Sequence, residues 1–233
     1  LRNGGLAALM LAALAATSWA GAAWAQVAEC DPIAPDRQEQ LISSHIFGGL
    51  LDADAPHIRR AFIFAFDSDN LVPRWAAWHL APHYRQLPRR EGRWGRFHPD
   101  PDVTPVHTED YLGWHASAHN FARGHIVPFF VAGGDRNEDG RFASHPGSLD
   151  IDDPDDACAV FEINAMSNIA PQYHSRFNGG SGLWYQLETK LRQLADRGRQ
   201  FHIIAGTVFT DDEIMRIGSR DVPWTPRGSA RQC

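Results

Sequence analysis

Lysine is almost missing from this 233-residue chain: Lys190 is the single lysine among 22 basic residues, and the rest are arginines. Arginine is the better bidentate ligand for phosphate, but a GC-rich genome gives the same bias, so the choice of base alone identifies no partner. Positive charge is also short overall. Lys and Arg number 22 against 28 Asp and Glu, a formal net charge of −6, which argues against a surface that attracts nucleic acid all round and confines any phosphate site to a local patch. Cysteine is scarce, and Cys30, Cys158 and Cys233 lie too far apart to form a Cys-x-x-Cys, which argues against a zinc knuckle. There is no His-Glu-x-x-His and no Gly-x-Ser-x-Gly, which argues against a zinc peptidase and a serine hydrolase.

The one long apolar stretch lies at the start. Arg2, the alanine-rich run from Gly5 to Ala16 and the small-x-small triplet Ala23-Trp24-Ala25 read as a secretory signal peptide over residues 1–25, too short and alanine-rich for a membrane span. The expected product is a periplasmic or extracellular protein, with no membrane attachment once the leader is removed. Residues 26–233 are enough for a single domain with a substantial core. In an exported protein three cysteines permit one disulfide, and Cys30 to Cys233 is favoured because domain termini often lie close together.

Along the chain, Arg37 to Ser43 reads as a short helix in an N-terminal arm. Ala61–Phe66 and Arg74–Leu80 read as strands joined by the turn Asp67-Ser68-Asp69-Asn70. Residues Gln86 to Val106, rich in Arg, Pro and Asp, read as an irregular surface loop. His115 and His119 are spaced as a helical zinc pair would be, but the segment runs into a strand. Residues 134–156 are an acidic insertion in which Asp135, Asn137 and Asp139 precede Gly140 as in the first half of a calcium loop. Pro146 stands where a closing Glu would be needed, so a Ca²⁺ site and a solvated insertion are both open readings. Trp184, Leu187, Leu191 and Leu194 mark the apolar stripe of a helix ending near Gly198, and Phe201–Phe209 reads as a further strand.

Three motifs stand out. Arg123-Gly124-His125 is followed by Pro128, Ser167-Asn168 by Pro171-Gln172, and then come Asn178, Trp184, Glu188 and Arg192. In this order and spacing they resemble the DNA/RNA non-specific endonucleases of the ββα-metal (His-Me finger) superfamily, the endonuclease G-like group. The likeness extends loosely from about Gly48 to Phe209. It implies an α+β fold with a central antiparallel sheet, flanking helices and a strand–strand–helix catalytic motif. Ala122 departs from the family's usual Asp, the Gly179–Gly182 link is slightly long, and the polar tail from Pro226 reads either as a shortened C-terminus or as a disturbed reading frame.

The resemblance further implies hydrolysis of phosphodiester bonds in DNA and RNA with one Mg²⁺, for which Mn²⁺ substitutes. His125 is the implied base, and Asn178 the direct protein ligand of the metal. Glu188 holds water of the metal's hydration shell, and Arg192 with one of Arg93 or Arg96 faces phosphate charge. Arg123 and Asn168 brace the site. The alternative is a secreted metal-binding protein that keeps the fold without catalysis.

Overall fold

The two runs of alternating and branched apolar residues near the start pair as a hairpin that carries the main sheet. The computed structural model describes residues 30–50, 55–111, 121–141 and 151–209, with the backbone of two further strands at 214–216 and 227–229. The leader at 1–25, His115, His119, the middle of the acidic insertion and Cys233 lie outside the described residues.

The chain opens with helix α1 (Pro35–His45), two residues longer at each end than the expected helix because Pro35 suits a first helical position. Strand β1 (His57–Ile58) follows, then β2 (Ile63–Asp67) and β3 (Val72–Leu80). Ala61 and Phe62, expected within β2, are buried at the turn before it, where the Arg59 amide donates to the Phe62 carbonyl at 2.9 Å. The turn after β2 is built as read: Asp67 Oδ1 accepts the amides of Asp69 and Asn70 at 3.0 and 2.9 Å.

After the long loop come β4 (Phe121–His125), helix α2 (Pro154–Glu162) and β5 (Ile169–Tyr173). A π-helical turn at His174–Asn178 leads into helix α3 (Leu183–Ala195) and strand β6 (Phe201–Gly206). Strands β7 (Ile214–Arg216) and β8 (Arg227–Ser229) pair antiparallel, β8 lying in the stretch read as a polar tail. The main sheet runs β1-β2-β3-β6, antiparallel throughout, and β4–β5 form a separate antiparallel pair. Phe62, Phe64, Trp78, Trp94 and Val127 are among the residues of one core joining the sheet, the loop and α2. Burying side chains of this size contributes roughly 1.5–3 kcal/mol each before entropy is counted.

Two expectations need correction. The stripe on α3 is not a core face throughout, since Leu187 is 48% exposed and Ala195 is its buried residue. The disulfide joins Cys30 to Cys158, with Cα atoms 5.6 Å apart, not Cys30 to Cys233. The arm is held against α2 by Arg60, which ion-pairs with Asp155 and Glu162 and donates to the Asp31 carbonyl at 2.8 Å. That contact brings Cys30 onto the helix carrying Cys158, a link between sequence-distant segments that spacing does not reveal. Cys158→Ala is expected to lose about 2–5 kcal/mol of stability, and non-reducing peptide mapping should recover Cys30 bridged to Cys158. A map with Cys30 bridged to Cys233 would overturn the pairing.

Candidate active site

Strand β4 ends on His125, and its register against β5 places His125 opposite Ile169 and Gly124 opposite Ala170. Gly124 makes room there: a Cβ would overlap the side chain of Gln172, which crosses the pair to donate from Nε2 to the His125 carbonyl at 3.2 Å. Asn168 is wholly buried and braces the strand end. Its Oδ1 accepts the Val127 amide at 2.9 Å, and its Nδ2 donates to the carbonyls of Val127 and Ile163, both at 2.9 Å. Asn168 thus ties the segment after β4 to the chain after α2.

The imidazole has one defined partner. His125 Nε2 lies 3.1 Å from Asn164 Oδ1. Asn164 Nδ2 donates to the Trp94 carbonyl at 2.7 Å, which fixes the amide so that its oxygen faces the ring. Nε2 must then carry the hydrogen, and Nδ1 is left as the basic nitrogen, with no hydrogen bond to a described residue. Burial, then the positive charges of Arg90 and Arg123, push the His125 pKa down to about 3 despite the Asn164 bond. The ring is neutral at physiological pH, the state a proton acceptor needs.

Phe97 forms the wall of the site. Its ring centroid lies 5.3 Å from that of His125, with the guanidinium carbons of Arg123 and Arg90 at 4.7 and 5.8 Å. Arg90 also lies over Phe129 at 5.3 Å. Of Arg93 and Arg96, one of which is expected to face phosphate, Arg93 stacks on Trp94 at 4.1 Å and lines a cavity with Cys30 and Cys158. Arg96 is exposed and is not among the charges that shift His125 or Glu188. Arg90 is the residue that sequence reasoning missed. It occupies the same loop three positions earlier, and the one available signal was its place in the arginine-rich segment before Phe97. Asn164 was also missed as a site residue, because an asparagine outside the matched motif carries no sign of its partner.

Helix α3 supplies the opposite side. Glu188, half-buried, has Arg192, Trp184 and Arg90 beside it, yet burial dominates and pushes its pKa up to about 7. Arg192 lies over Phe130 at 5.0 Å and donates to Thr189 Oγ1 at 2.9 Å. Asn178 ends the π-helical turn, which packs against β4, β5 and α3. Its half-buried amide makes no hydrogen bond to a described residue. Gly182 then caps α3 where a Cβ would collide with the Phe177 carbonyl.

A hard divalent ion fits this chemistry. The Asn178 amide is uncommitted, the Glu188 carboxyl is neighboured, and Gln172 Oε1 is buried without a hydrogen-bond partner. These are oxygen donors, which suit Mg²⁺ or Mn²⁺. No group of three or more His, Cys, Asp or Glu placed to hold a metal occurs among the described residues, so a bound ion would keep much of its water.

In the acidic insertion the oxygens face inward. Asp135 accepts the amides of Asp139 and Gly140 at 3.1 and 2.7 Å, Asn137 that of Asp139 at 3.2 Å, and Asp139 that of Arg141 at 2.8 Å. Asp153 caps α2, Asp155 pairs with Arg60, and Asp156 accepts the Arg136 amide. The loop thus holds its turn through its own amides, and these three acids have structural partners.

The sequence profile of the DNA/RNA non-specific endonuclease family matches residues 49–229. The chain belongs to this family. Human "Nuclease EXOG, mitochondrial" is 26% identical over 175 residues, which is 74% of this chain and 39% of that protein. The mouse protein of the same name is 28% identical over 145 residues, 61% of this chain and 31% of its own length. The chain therefore spans between about a third and two fifths of the length of the curated relatives it matches. A crystal structure of the EndoG/EndoGI complex superposes with a TM-score of 0.52, covering 85% of this chain and 66% of that one at 18% identity, a likeness of fold.

In this endonuclease-family chain the placement of Arg90 is directly testable. Removing a positive charge from beside an imidazole favours its protonated form. Arg90→Ala is therefore expected to raise the His125 pKa in an NMR titration, and Arg93→Ala to leave it where it is. Equal behaviour of the two variants would refute the placement.

Proposed function

We propose that this chain hydrolyses phosphodiester bonds of DNA and RNA, with His125 as the general base. The observation that carries this reading is the imidazole itself: neutral, bonded through Nε2 to an amide oxygen, and left with Nδ1 as its acceptor. In-line attack on a phosphodiester requires removal of a proton from water and neutralisation of charge on the phosphate. Nδ1 takes that proton. Arg90, Arg123 and Arg192 form the positive rim that orients the phosphate, their aromatic supports keeping the guanidinium groups in place. Mg²⁺, or Mn²⁺ in its place, would be held by Asn178 with Glu188 ordering its water, and would supply charge neutralisation. Asn164 keeps the imidazole in the productive tautomer, as partners of catalytic and ligating histidines generally do.

His125→Ala is expected to lose about 10² to 10⁴ in rate, the usual span for a general base, while thermal melting and nucleic-acid binding are retained. Asn178→Ala is expected to lose activity through weaker metal binding, seen as a higher Mn²⁺ dissociation constant by calorimetry and partial recovery at high Mg²⁺. Full activity in folded His125→Ala protein would end this mechanism. Parallel stability losses without metal rescue would instead assign both residues to the scaffold.

The tripartite leader supports export, with cleavage after Ala25. Intact-mass analysis of secreted protein still carrying Arg2 would exclude it. Asp135, Asn137 and Asp139 supply the oxygens for a structural Ca²⁺. A melting temperature unmoved by millimolar Ca²⁺ would dismiss that ion, because a ligand of the native state alone must raise apparent stability.

A further inference from the structure

A second pair of arginines lies outside the cluster around His125. Arg136 is 4% exposed, and its guanidinium carbon sits 3.5 Å from the Tyr84 ring centroid. One terminal nitrogen donates to the Val131 carbonyl, while Nε is buried with no hydrogen-bond partner. The carboxylate of Asp156 is taken by the Arg136 backbone amide at 2.6 Å, not by the guanidinium. Arg37, on α1, reaches the same place. It donates to the Arg136 carbonyl through one terminal nitrogen and to Gln40 Oε1 at 3.1 Å through the other. Neither Arg37 nor Arg136 has an ion pair with a described residue.

The two arginines line a cavity of about 210 Å³ together with Gln40 and Ser44. Arg60 borders it too, but its guanidinium is taken by Asp155, Glu162 and the Asp31 carbonyl. A buried charge is costly unless it is paired and hydrogen-bonded, and the two like charges in each other's field add to that cost. Burial, first, and Arg37 hold the Arg136 pKa down at about 10, against the opposing effects of Tyr84 and Asp156. An anion seated between the guanidinium groups would remove the imbalance of charge. The space is that of about seven waters at ~30 Å³ each, enough for a tetrahedral oxyanion with some hydration and too small for a threaded polynucleotide. Glu138 also lines it and repels a flanking phosphate.

We propose that this cavity is an oxyanion site for a phosphomonoester or free phosphate, separate from the cluster around His125. It does not depend on the hydrolytic mechanism. The phosphate comes either from the 5′ end of a nucleic-acid fragment or from solution.

The test is calorimetric titration of the full chain with inorganic phosphate, in EDTA and at constant ionic strength. Saturable binding is expected, weakened about tenfold in Arg37→Gln, which loses a charge-assisted hydrogen bond to the anion, and abolished in Arg136→Met. Arg37 is at the half-buried edge, so its variant keeps the test valid if Arg136→Met fails to fold. His125→Ala should bind phosphate as the parent does. Competition by a 5′-phosphorylated trinucleotide but not its 5′-hydroxyl form assigns the site to a chain end, and competition by neither assigns it to the free ion. Competition by both, no saturable binding, unchanged affinity in Arg37→Gln, or loss of binding in His125→Ala would each overturn the proposal.

Discussion

The hydrogen bond between His125 and Asn164 is the contact on which the rest of the site depends. It does two things that neither residue does alone. The Trp94 carbonyl orients the Asn164 amide, and the amide in turn decides which imidazole nitrogen carries a hydrogen. Trp94 belongs to the irregular loop, which is why that loop must be pinned to the strand–strand unit. His98 does the pinning: its backbone exchanges bonds with Asn164 and Met166 at 3.3 and 2.8 Å, and its ring stacks on Phe161 at 3.9 Å. Asp100 extends the seam through Ser167 and a 2.7 Å ion pair with Arg59. A segment with the composition of a surface loop is thus made rigid where it supports the base.

An acidic chain builds a local positive patch by supporting arginines on aromatic rings. Arg90, Arg123 and Arg192 lie over Phe97, Phe129, Phe130 and Tyr185. A cation over a ring gains stabilisation without having its charge cancelled by a carboxylate. The field of these groups is therefore left for a ligand, and burial together with the charges of Arg90 and Arg123 depresses the His125 pKa. One carboxylate enters the patch, Glu188, and burial moves its pKa toward neutrality, so the patch stays positive overall.

What could be read from sequence was whatever is encoded locally. The two early strands, the Asp67 turn, α3 and the order His125, Asn168, Asn178, Glu188 follow from periodicity, turn chemistry and motif spacing. What could not be read depends on contacts between distant segments. The Cys30–Cys158 bridge needs Arg60 to draw the arm onto α2. That Arg90 and not Arg93 lies over Phe97 follows from the one-turn helix at Gly92–Gly95, which carries Arg93 onto Trp94. Asn164 was visible as a residue, but its role exists only once the Trp94 carbonyl stands beside it. The exposed Leu187 shows the same limit from the other side: an apolar stripe specifies a helix, while the packing of its neighbours decides how much of that stripe is buried.

Ala122 shows how the departure from the family's aspartate is accommodated. Ala122 lies on β4 between Phe121 and Arg123. Ala122 packs against a second apolar cluster containing Phe121, Tyr111, Val106 and Met166. That cluster already contains an awkward acid. Asp110 is 1% exposed beside Tyr111, and burial raises its pKa although its carboxylate accepts the His107 amide. A second carboxylate on the same side would need a polar partner of its own or would be driven to its neutral form. With alanine there, Arg123 lies over the Phe97 ring at 4.7 Å. An alanine at 122 thus spares this cluster a second acid beside Asp110.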